Sequence, residues 1–416
     1  MSLRGGGANH QGKGGDMKGI LKGVLAVVVA ALTIGMAGAA QSAESIKVGV
    51  LLPLTGAQAK FGEIEKRSYE MAVEEINAKG GVNGKKIEMV FEDDTGKPDV
   101  GRSGVEKLIS REKVPVITGG YSSSVTAAAT PVAQQFKVPF VVSTGSADAI
   151  TEKGYDYIFR INPPASEYPN AVKSFLQNVA KDVKTIALLY ENSSFGQSSS
   201  KSFEKLAEGL GLKIVVKEGY QAGAIDFKPV LTKVKAANPD MIYMVSYVMD
   251  ASLLMRQSKE LRITPKIFVG GGAGFTLPEF AKSAGDAAEG VYSATLWVET
   301  LPFPGAKEYF KKFQKKYGSE TEYHGAEGYS AMYVVADALR RAKSITPKDV
   351  RDALAATDMK TAFGPVKFVS YGKKTQQNKL DTYMVQWQKG TLEAVWPTNV
   401  ATKKYIYPTP HWDARK

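Results

Sequence analysis

The sequence predicts an α/β protein of two doubly wound lobes, each a parallel sheet with helices on both faces. Three observations predict it. Short apolar runs stop abruptly at glycine and hydroxyl residues, as in Val114–Ser124 (VPVITGGYSSS) and Phe140–Ser146 (FVVSTGS). A strand covered on both faces reads as such a run. Segments of helical spacing alternate with these runs, which calls for parallel strands joined by right-handed crossovers. The alternation breaks at Asn162-Pro163-Pro164 and then starts again, because two prolines continue neither a helix nor a central strand.

The first series opens with strand Ile46–Leu52, broken by PLTG at 53–56. Helix Ile64–Ala78 carries Tyr69, Ala72, Val73 and Ile76 at helical spacing and stops at Gly80 and Gly81, where glycine takes the left-handed end of a helix. Strand Lys86–Glu92 ends at Asp93 and Asp94, and helix Asp99–Arg111 follows. Strand Val114–Thr118, helix Thr126–Phe136, strand Phe140–Val142 and the extended piece Tyr157–Arg160 complete the series. In the second series, helices Ser166–Val179, Phe195–Glu208, Pro229–Ala236 and Ala251–Glu260 each precede a strand. Those strands are Thr185–Leu189, Lys213–Glu218, Met241–Val245 and Lys266–Val269. The tail is less regular. It offers strand Gly290–Trp297, helices Gly305–Tyr317 and Glu327–Arg341, and a helix capped by Thr346 with Pro347 at its first position. Thr382–Trp387 and Leu392–Trp396 alternate around Lys389-Gly390, a hairpin signal.

A chain of 416 residues holds about two domains at roughly 100–200 residues each. Its 44% hydrophobic and 23% charged content is that of a globular protein. There is no cysteine, which excludes disulfides, thiolate metal sites, cysteine nucleophiles and a lipid-anchoring cysteine. The formal charge is +12, but the lysines are spread along the chain. They read as a solvated surface, not as a nucleic-acid footprint. Residues 1–43 read as leader and signal peptide: Met17-Lys18 with Lys22, an apolar run from Val24 to Ala40, then small residues to Ala43. The run is short and rich in Ala and Gly, which favours a cleaved signal over a retained anchor. Export without an anchoring cysteine places the mature chain, soluble, in a bacterial periplasm.

Open α/β sheets bind ligands outside the carboxyl ends of their strands. Ser122, Ser123 and Ser124 there offer hydroxyls and the free N–H groups of a helix start, which suit a carboxylate. Ser143, Thr144, Gly145 and Ser146 form a second set facing the same crevice. Serine and threonine at such places also cap helices and fill turns. Walker A, G-x-G-x-x-G, HExxH and G-x-S-x-G are all absent, and His10, His324 and His411 lie far apart in sequence. Asp93-Asp94 at a strand end read as turn and cap residues before they read as metal ligands. These features argue for binding without turnover, and no catalytic residue, metal or cofactor is expected.

From Ile46 to Trp396 the chain resembles the periplasmic solute-binding proteins of ABC importers, of the leucine/isoleucine/valine-binding type. The residues that carry the resemblance are IKVGVLLPLTG (46–56), FGE (61–63), AVEEINAKGGVNGKKIE (72–88), DD (93–94), GGYSSSVT (119–126), TEKGYDYIFR (151–160) and FGPVKF (363–368). The resemblance implies a type I periplasmic binding fold, two lobes joined by three crossover strands with the ligand shut between them. Crossings then fall at Asn162–Pro164, Gly290–Trp297 and Ser370–Lys374. Residues 44–163 plus 294–370 form one lobe, and 164–293 plus 371–416 the other. It also implies that Ser122, Thr144 and Ser146 grip an amino acid's polar end, with Phe61 near its side chain. Phe195 and Tyr247 would close from the second lobe, with His324 at the rim and Tyr121, Ser123, Gly145 and Gly272 around the same cavity. The implied partner is a membrane permease, and the implied state is a monomer. A ligand-sensing receptor domain is the rival class, although no later apolar segment is long enough to span a membrane.

One departure stands out. The amino-acid binders place an acid after the strand equivalent to Lys266–Val269, to pair with the ammonium, whereas this chain has Gly270-Gly271-Gly272-Ala273-Gly274. A buried ammonium without a partner costs several kcal/mol. Either Asp250 or a main-chain carbonyl of the glycine loop receives the ammonium, or the ligand is a larger hydrophobic or aromatic carboxylate that has none.

Overall fold

Each series of strands builds its own sheet. A computed structural model describes residues 5–12 and 45–415, so the expected signal segment, 17–43, lies outside the described residues. Residues 5–12 form no helix or strand. In the first sheet β1 (Ile46–Leu52), β2 (Ile87–Asp93), β3 (Ile117–Gly119), β4 (Phe140–Val142) and β5 (Ile158–Arg160) run parallel in the order β2-β1-β3-β4-β5. Helices α1 (Ala59–Ala78), α2 (Pro98–Ser110) and α3 (Ser123–Phe136) connect its first four strands. In the second sheet β6 (Thr185–Glu191), β7 (Lys213–Tyr220), β8 (Met241–Val245), β9 (Ile267–Gly270) and β10 (Tyr292–Thr295) run parallel in the order β7-β6-β8-β9-β10. Helix α4 (Pro169–Asn178) leads into it. Helices α5 (Ser194–Gly209), α6 (Lys228–Ala237), α7 (Val248–Glu260) and α8 (Pro278–Ala284) connect it. The strand order reverses beside β1 and beside β6, and such switch points are where open sheets leave a crevice.

The apolar runs are strands because both their faces are covered. Val48, Val50, Leu51 and Leu52 of β1 and all of β8 are buried. Val114 and Val116 are buried too, but the ladder begins only at Ile117, which shortens the strand expected from Val114. Helix α9 (Ala306–Tyr317) precedes α10 (Tyr323–Arg341), which packs along α1. Helix α11 (Pro347–Ala355) starts as expected, the Thr346 side chain accepting from the Asp349 N–H. A separate hairpin, β11 (Asp358–Thr361) with β12 (Gly364–Lys367), follows.

The chain passes between the sheets three times, after β5, after β10 and once more near the end. Ser370–Lys374 is not the third crossing. It is the tip of a hairpin in the first sheet, β13 (Val369–Tyr371) and β14 (Lys374–Gln377), turning at Gly372 with φ +55°. The side chain of Gln377 holds that hairpin in place: its Oε1 accepts from Arg160 Nε at 2.6 Å, and its Nε2 donates to Asn162 O at 2.7 Å. The crossing therefore falls at 378–382, and the first sheet reaches past the expected boundary at 370. The expected closing hairpin, β15 (Tyr383–Gln388) with β16 (Thr391–Trp396), completes the second sheet antiparallel to β10.

The lobes meet along α3 and α5, where Ser124 Oγ lies 3.2 Å from Ser194 Oγ. Beside them Asp148 acts as a latch. Its Oδ2 accepts from Ser198 Oγ of α5 at 2.9 Å and from the Ser166 N–H at 3.1 Å, and Lys374 Nζ lies 2.8 Å from Oδ1. Burial alone would raise the Asp148 pKa; the bonds from Lys374, Ser166 and Ser198 outweigh it and hold the carboxyl below its usual range. The ionised form is thus favoured by folding, and its contribution is present above the unfolded pKa and lost as pH falls through the folded one. Asp148→Asn is expected to lower stability by about 1.5–3 kcal/mol near neutral pH. The gap to wild type should close in strong acid. Urea unfolding midpoints across the acid range check this.

Candidate ligand-binding site

The carboxyl ends of β3 and β4 and the first turns of α3, α5, α7 and α10 converge on one small cavity of about 20 Å³. Its first-lobe wall is made by Tyr121, Ser123, Thr144 and Ser146, with Tyr323 and His324 from α10. Phe195, Tyr247 and Ala273 form the opposite wall, and Tyr168 enters from the first crossing. Seven of these were expected from sequence; Tyr168, Ala273 and Tyr323 were not. Tyr323 has a visible signal in its place beside His324 at a helix start. Ala273 comes from the Gly270–Gly274 loop, and Tyr168 reaches the cavity through a chain turn that carries no pattern.

The two strand-end loops are tied to each other before any ligand arrives. Gly119 and Gly120 turn with φ of +99° and +78°, and a Cβ at Gly119 would lie 2.3 Å from Leu51 O. Ser123 Oγ accepts from the N–H groups of Ser146 and Ala147, both at 3.1 Å. Gly145 donates to Gly120 O at 2.8 Å and accepts from Arg160 Nη1 at 3.0 Å, so it spaces the loops. Ser122 caps α3 with extended backbone, and its side chain bonds none of the helix N–H groups. The first-turn N–H groups are therefore left for an anion.

Aromatic rings close the cavity. Phe61 stacks on Tyr121 at 4.6 Å and meets His324 edge-on at 4.9 Å. It is fully buried and sits one ring behind the cavity wall. Phe195 and Tyr247 lie 5.9 Å apart, and Tyr247 meets Tyr121 at 6.3 Å across the cleft. Tyr323 stacks on His324 at 3.9 Å, and Glu322 Oε1 orients that imidazole at 2.8 Å from Nδ1. Burial pushes the Tyr121 and Tyr247 phenols up, so both stay protonated.

The glycine loop after β9 is glycine for packing reasons. A Cβ at Gly270 would come 2.3 Å from the Phe275 ring, at Gly271 2.7 Å from Tyr243 Oη, and at Gly274 2.3 Å from the Tyr247 backbone. Gly272, with φ +89°, faces the Tyr168 ring and the Tyr323 hydroxyl. Asp250 does not replace the missing acid. Both oxygens of its carboxylate are taken up by the Gly223 N–H, at 3.1 and 3.2 Å. Asp93 takes the turn role expected of it, accepting from the N–H groups of Leu54 and Thr95 at 2.8 Å each. Among the described residues, no group of three or more His, Asp or Glu is placed to hold a metal ion.

The acids near the cavity come instead from the helices behind its first-lobe wall. Thr144 Oγ1 lies 3.0 Å from Glu65 Oε1 of α1 and 2.8 Å from Glu327 Oε2 of α10. Ser143 Oγ lies 2.9 Å from Glu65 Oε2 and 3.0 Å from Gly119 O. Burial pushes the Glu65 carboxyl up to about 8, against the pull of Ser143 and Thr144, and raises Glu327 well above its usual range.

Two like-built sheets, three chain crossings, and strand-end hydroxyls facing aromatics across a cleft define a two-lobed binding protein of the type I periplasmic class. Residues 45–391 match the periplasmic binding protein family, and the chain belongs to it. It is 34% identical over 408 residues to "Leu/Ile/Val-binding protein homolog 7" of Brucella suis, spanning 93% of this chain and 99% of that relative. LivJ of Streptococcus pneumoniae, a branched-chain amino acid transporter substrate binding protein solved with isoleucine, matches with a TM-score of 0.78 and 28% identity. The match covers 88% of this chain and 100% of LivJ. A solute binding protein of an ABC transporter from R. palustris, solved with benzoate, shares the fold with a TM-score of 0.76 at 20% identity, over 88% of this chain and 97% of that one.

The buried pair makes stability depend on pH. Glu65 holds its proton more tightly folded, at about 8, than at the ordinary 4.5. Its stabilisation is complete below the lower value and lost as pH rises through the upper one. Wild type should therefore lose stability relative to Glu65→Gln across that interval, by up to about 1.4 kcal/mol per pH unit. Parallel urea titrations of the two proteins measure the difference.

Proposed function

We propose that the chain is the extracytoplasmic solute-binding component of an ABC importer. It captures a branched-chain or other hydrophobic amino acid between its lobes and presents it to a membrane permease. The carrying observation is the interlobe cavity, where hydroxyls and an open helix start from one lobe meet aromatic rings from the other. The carboxylate is received at the first turn of α3, beside Ser122, Ser123 and Ser146. The side chain lies against Tyr121, Phe195 and Tyr247, with Phe61 and His324 supporting the rings. Membership of the periplasmic binding protein family supports this reading. So do the Leu/Ile/Val-binding name of the Brucella relative and the isoleucine in LivJ. A signal peptide over 17–43, cleaved near Ala43, accounts for export.

Closure follows from volume. A cavity of about 20 Å³ holds about one water, so an amino acid enters only when the lobes part. Once inside, it touches both walls only in a shut form, and its binding shifts the open–closed equilibrium toward that form. Both walls belong to one chain, so a monomer suffices. Release of the solute unchanged is part of this proposal.

A second reading, a hydrophobic or aromatic carboxylate without an ammonium, is favoured by the absence of any acid in the Gly270–Gly274 loop. A thermal-shift screen of hydrophobic amino acids beside aliphatic and aromatic carboxylates separates the two. With the best ligand at saturation, small-angle scattering should show a smaller radius of gyration than without it. An unchanged radius, or chemical change in the recovered solute, would overturn the proposed function.

A further inference from the structure

We propose that Glu327 receives the ligand's α-ammonium group in place of the acid missing from the Gly270–Gly274 loop, and releases a proton to bulk water as the amino acid binds. The inference rests on the amino-acid reading of the cavity and names the residue that selects for it.

Counting hydrogens leads to it. A hydroxyl carries one hydrogen. Ser143 Oγ touches Gly119 O and Glu65 Oε2, and Thr144 Oγ1 touches Glu65 Oε1 and Glu327 Oε2. The Gly119 carbonyl only accepts, and it also takes the Ser143 N–H at 2.8 Å; when Ser143 Oγ donates to it, Glu65 Oε2 donates to Ser143. Glu65 Oε1 then accepts from Thr144, and Glu327 Oε2 supplies the hydrogen to Thr144. All four contacts are satisfied when both carboxyls are protonated.

In that state Glu327 Oε1 is buried and has no partner. A second acceptor beside Thr144 is in the same condition. Asn162 Nδ2 donates to Thr144 O at 2.5 Å and to Tyr168 Oη at 3.3 Å, while Asn162 Oδ1 is buried and unpaired. Thr144 and Tyr168 are both cavity wall, as are Tyr323 and His324 one turn before Glu327 on α10, and Glu327 itself stands directly behind Thr144. Residues three and four apart share a helix face. An unpaired buried acceptor is costly, and an ammonium has three N–H groups to offer. A ligand with only a carboxylate offers no donor to either atom.

The surroundings explain why the acid is neutral beforehand and charged afterwards. Glu327 faces Glu65 and Tyr69 of α1, Glu322 and Tyr323 of its own helix, and Tyr168. Glu322 is engaged with His324 and with Thr276 Oγ1 at 3.0 Å. The nearby buried Arg160 is committed to Gln377, Gly145 O, Ala147 O and Thr151. Among the described residues, the hydrogen-bond partners of the two carboxyls are hydroxyls alone. A cation arriving in that setting favours the ionised carboxylate, and the proton leaves to water.

The test is calorimetry on the full chain with two probes, L-leucine and 4-methylpentanoate, which is leucine without its amino group. Leucine should bind wild type about 100-fold tighter than the analogue. At pH 7 its binding should release about one proton, read from the dependence of the heat on buffer ionisation enthalpy. Because a proton is released, leucine affinity should rise with pH, by up to about tenfold per unit, while that of the analogue stays flat. In Glu327→Gln the leucine advantage and the proton release should vanish, with analogue binding little changed. Leucine binding undiminished in Glu327→Gln, or wild-type binding without proton release, overturns the assignment and leaves the importer reading standing. Equal affinity for the two probes overturns it in favour of the carboxylate reading. Binding of neither probe to wild type removes leucine as the solute and overturns the assignment as stated for it. If Glu327→Gln fails to fold, the wild-type proton count decides alone.

Discussion

Two carboxyls buried without a cation cannot both be charged, and the Thr144 hydroxyl between Glu65 and Glu327 turns that constraint into structure. It joins α1, α10 and the end of β4 at one point behind the cavity wall. The same loop is joined to the start of α3 by Ser123, which accepts from two successive N–H groups. The binding wall of the first lobe is thus held rigid from behind, with few polar groups left for the ligand to reorganise. Buried polar networks of this kind specify one arrangement when every member is satisfied. Here Glu327 Oε1 and Asn162 Oδ1 are the members left buried without a partner.

The second lobe plays a different part. Its glycine loop is packed against Phe275, Tyr243 and the Tyr247 backbone, which brings Tyr247 and Ala273 to the cavity but leaves no room for an acid. The serine and threonine hydroxyls of the cavity wall and the carboxyls behind them are consequently confined to the first-lobe side of the cleft, while aromatic rings line both sides. Closure brings the two together, and the Asp148 contacts with Ser166 and Ser198 lie at the edge where the lobes meet.

Much of this was determined by sequence alone. Strands buried on both faces must be apolar throughout, so β1, β4 and β8 were readable from their own residues, and glycine and proline marked their ends. The strand-end hydroxyls at Ser122–Ser124 and Ser143–Ser146 followed from the rule that sheets bind ligands at carboxyl ends. What only the tertiary structure decided depends on residues far apart in the chain. Ser370–Lys374 turned out to be a hairpin because Gln377 bonds Arg160. Asp250 was drawn to the Gly223 N–H. Glu65 and Glu327 read from sequence as ordinary helix residues, since helical periodicity reports which face is covered and not what covers it. Their meeting at Thr144 spans 79 and 183 positions of sequence, a separation no local pattern can signal.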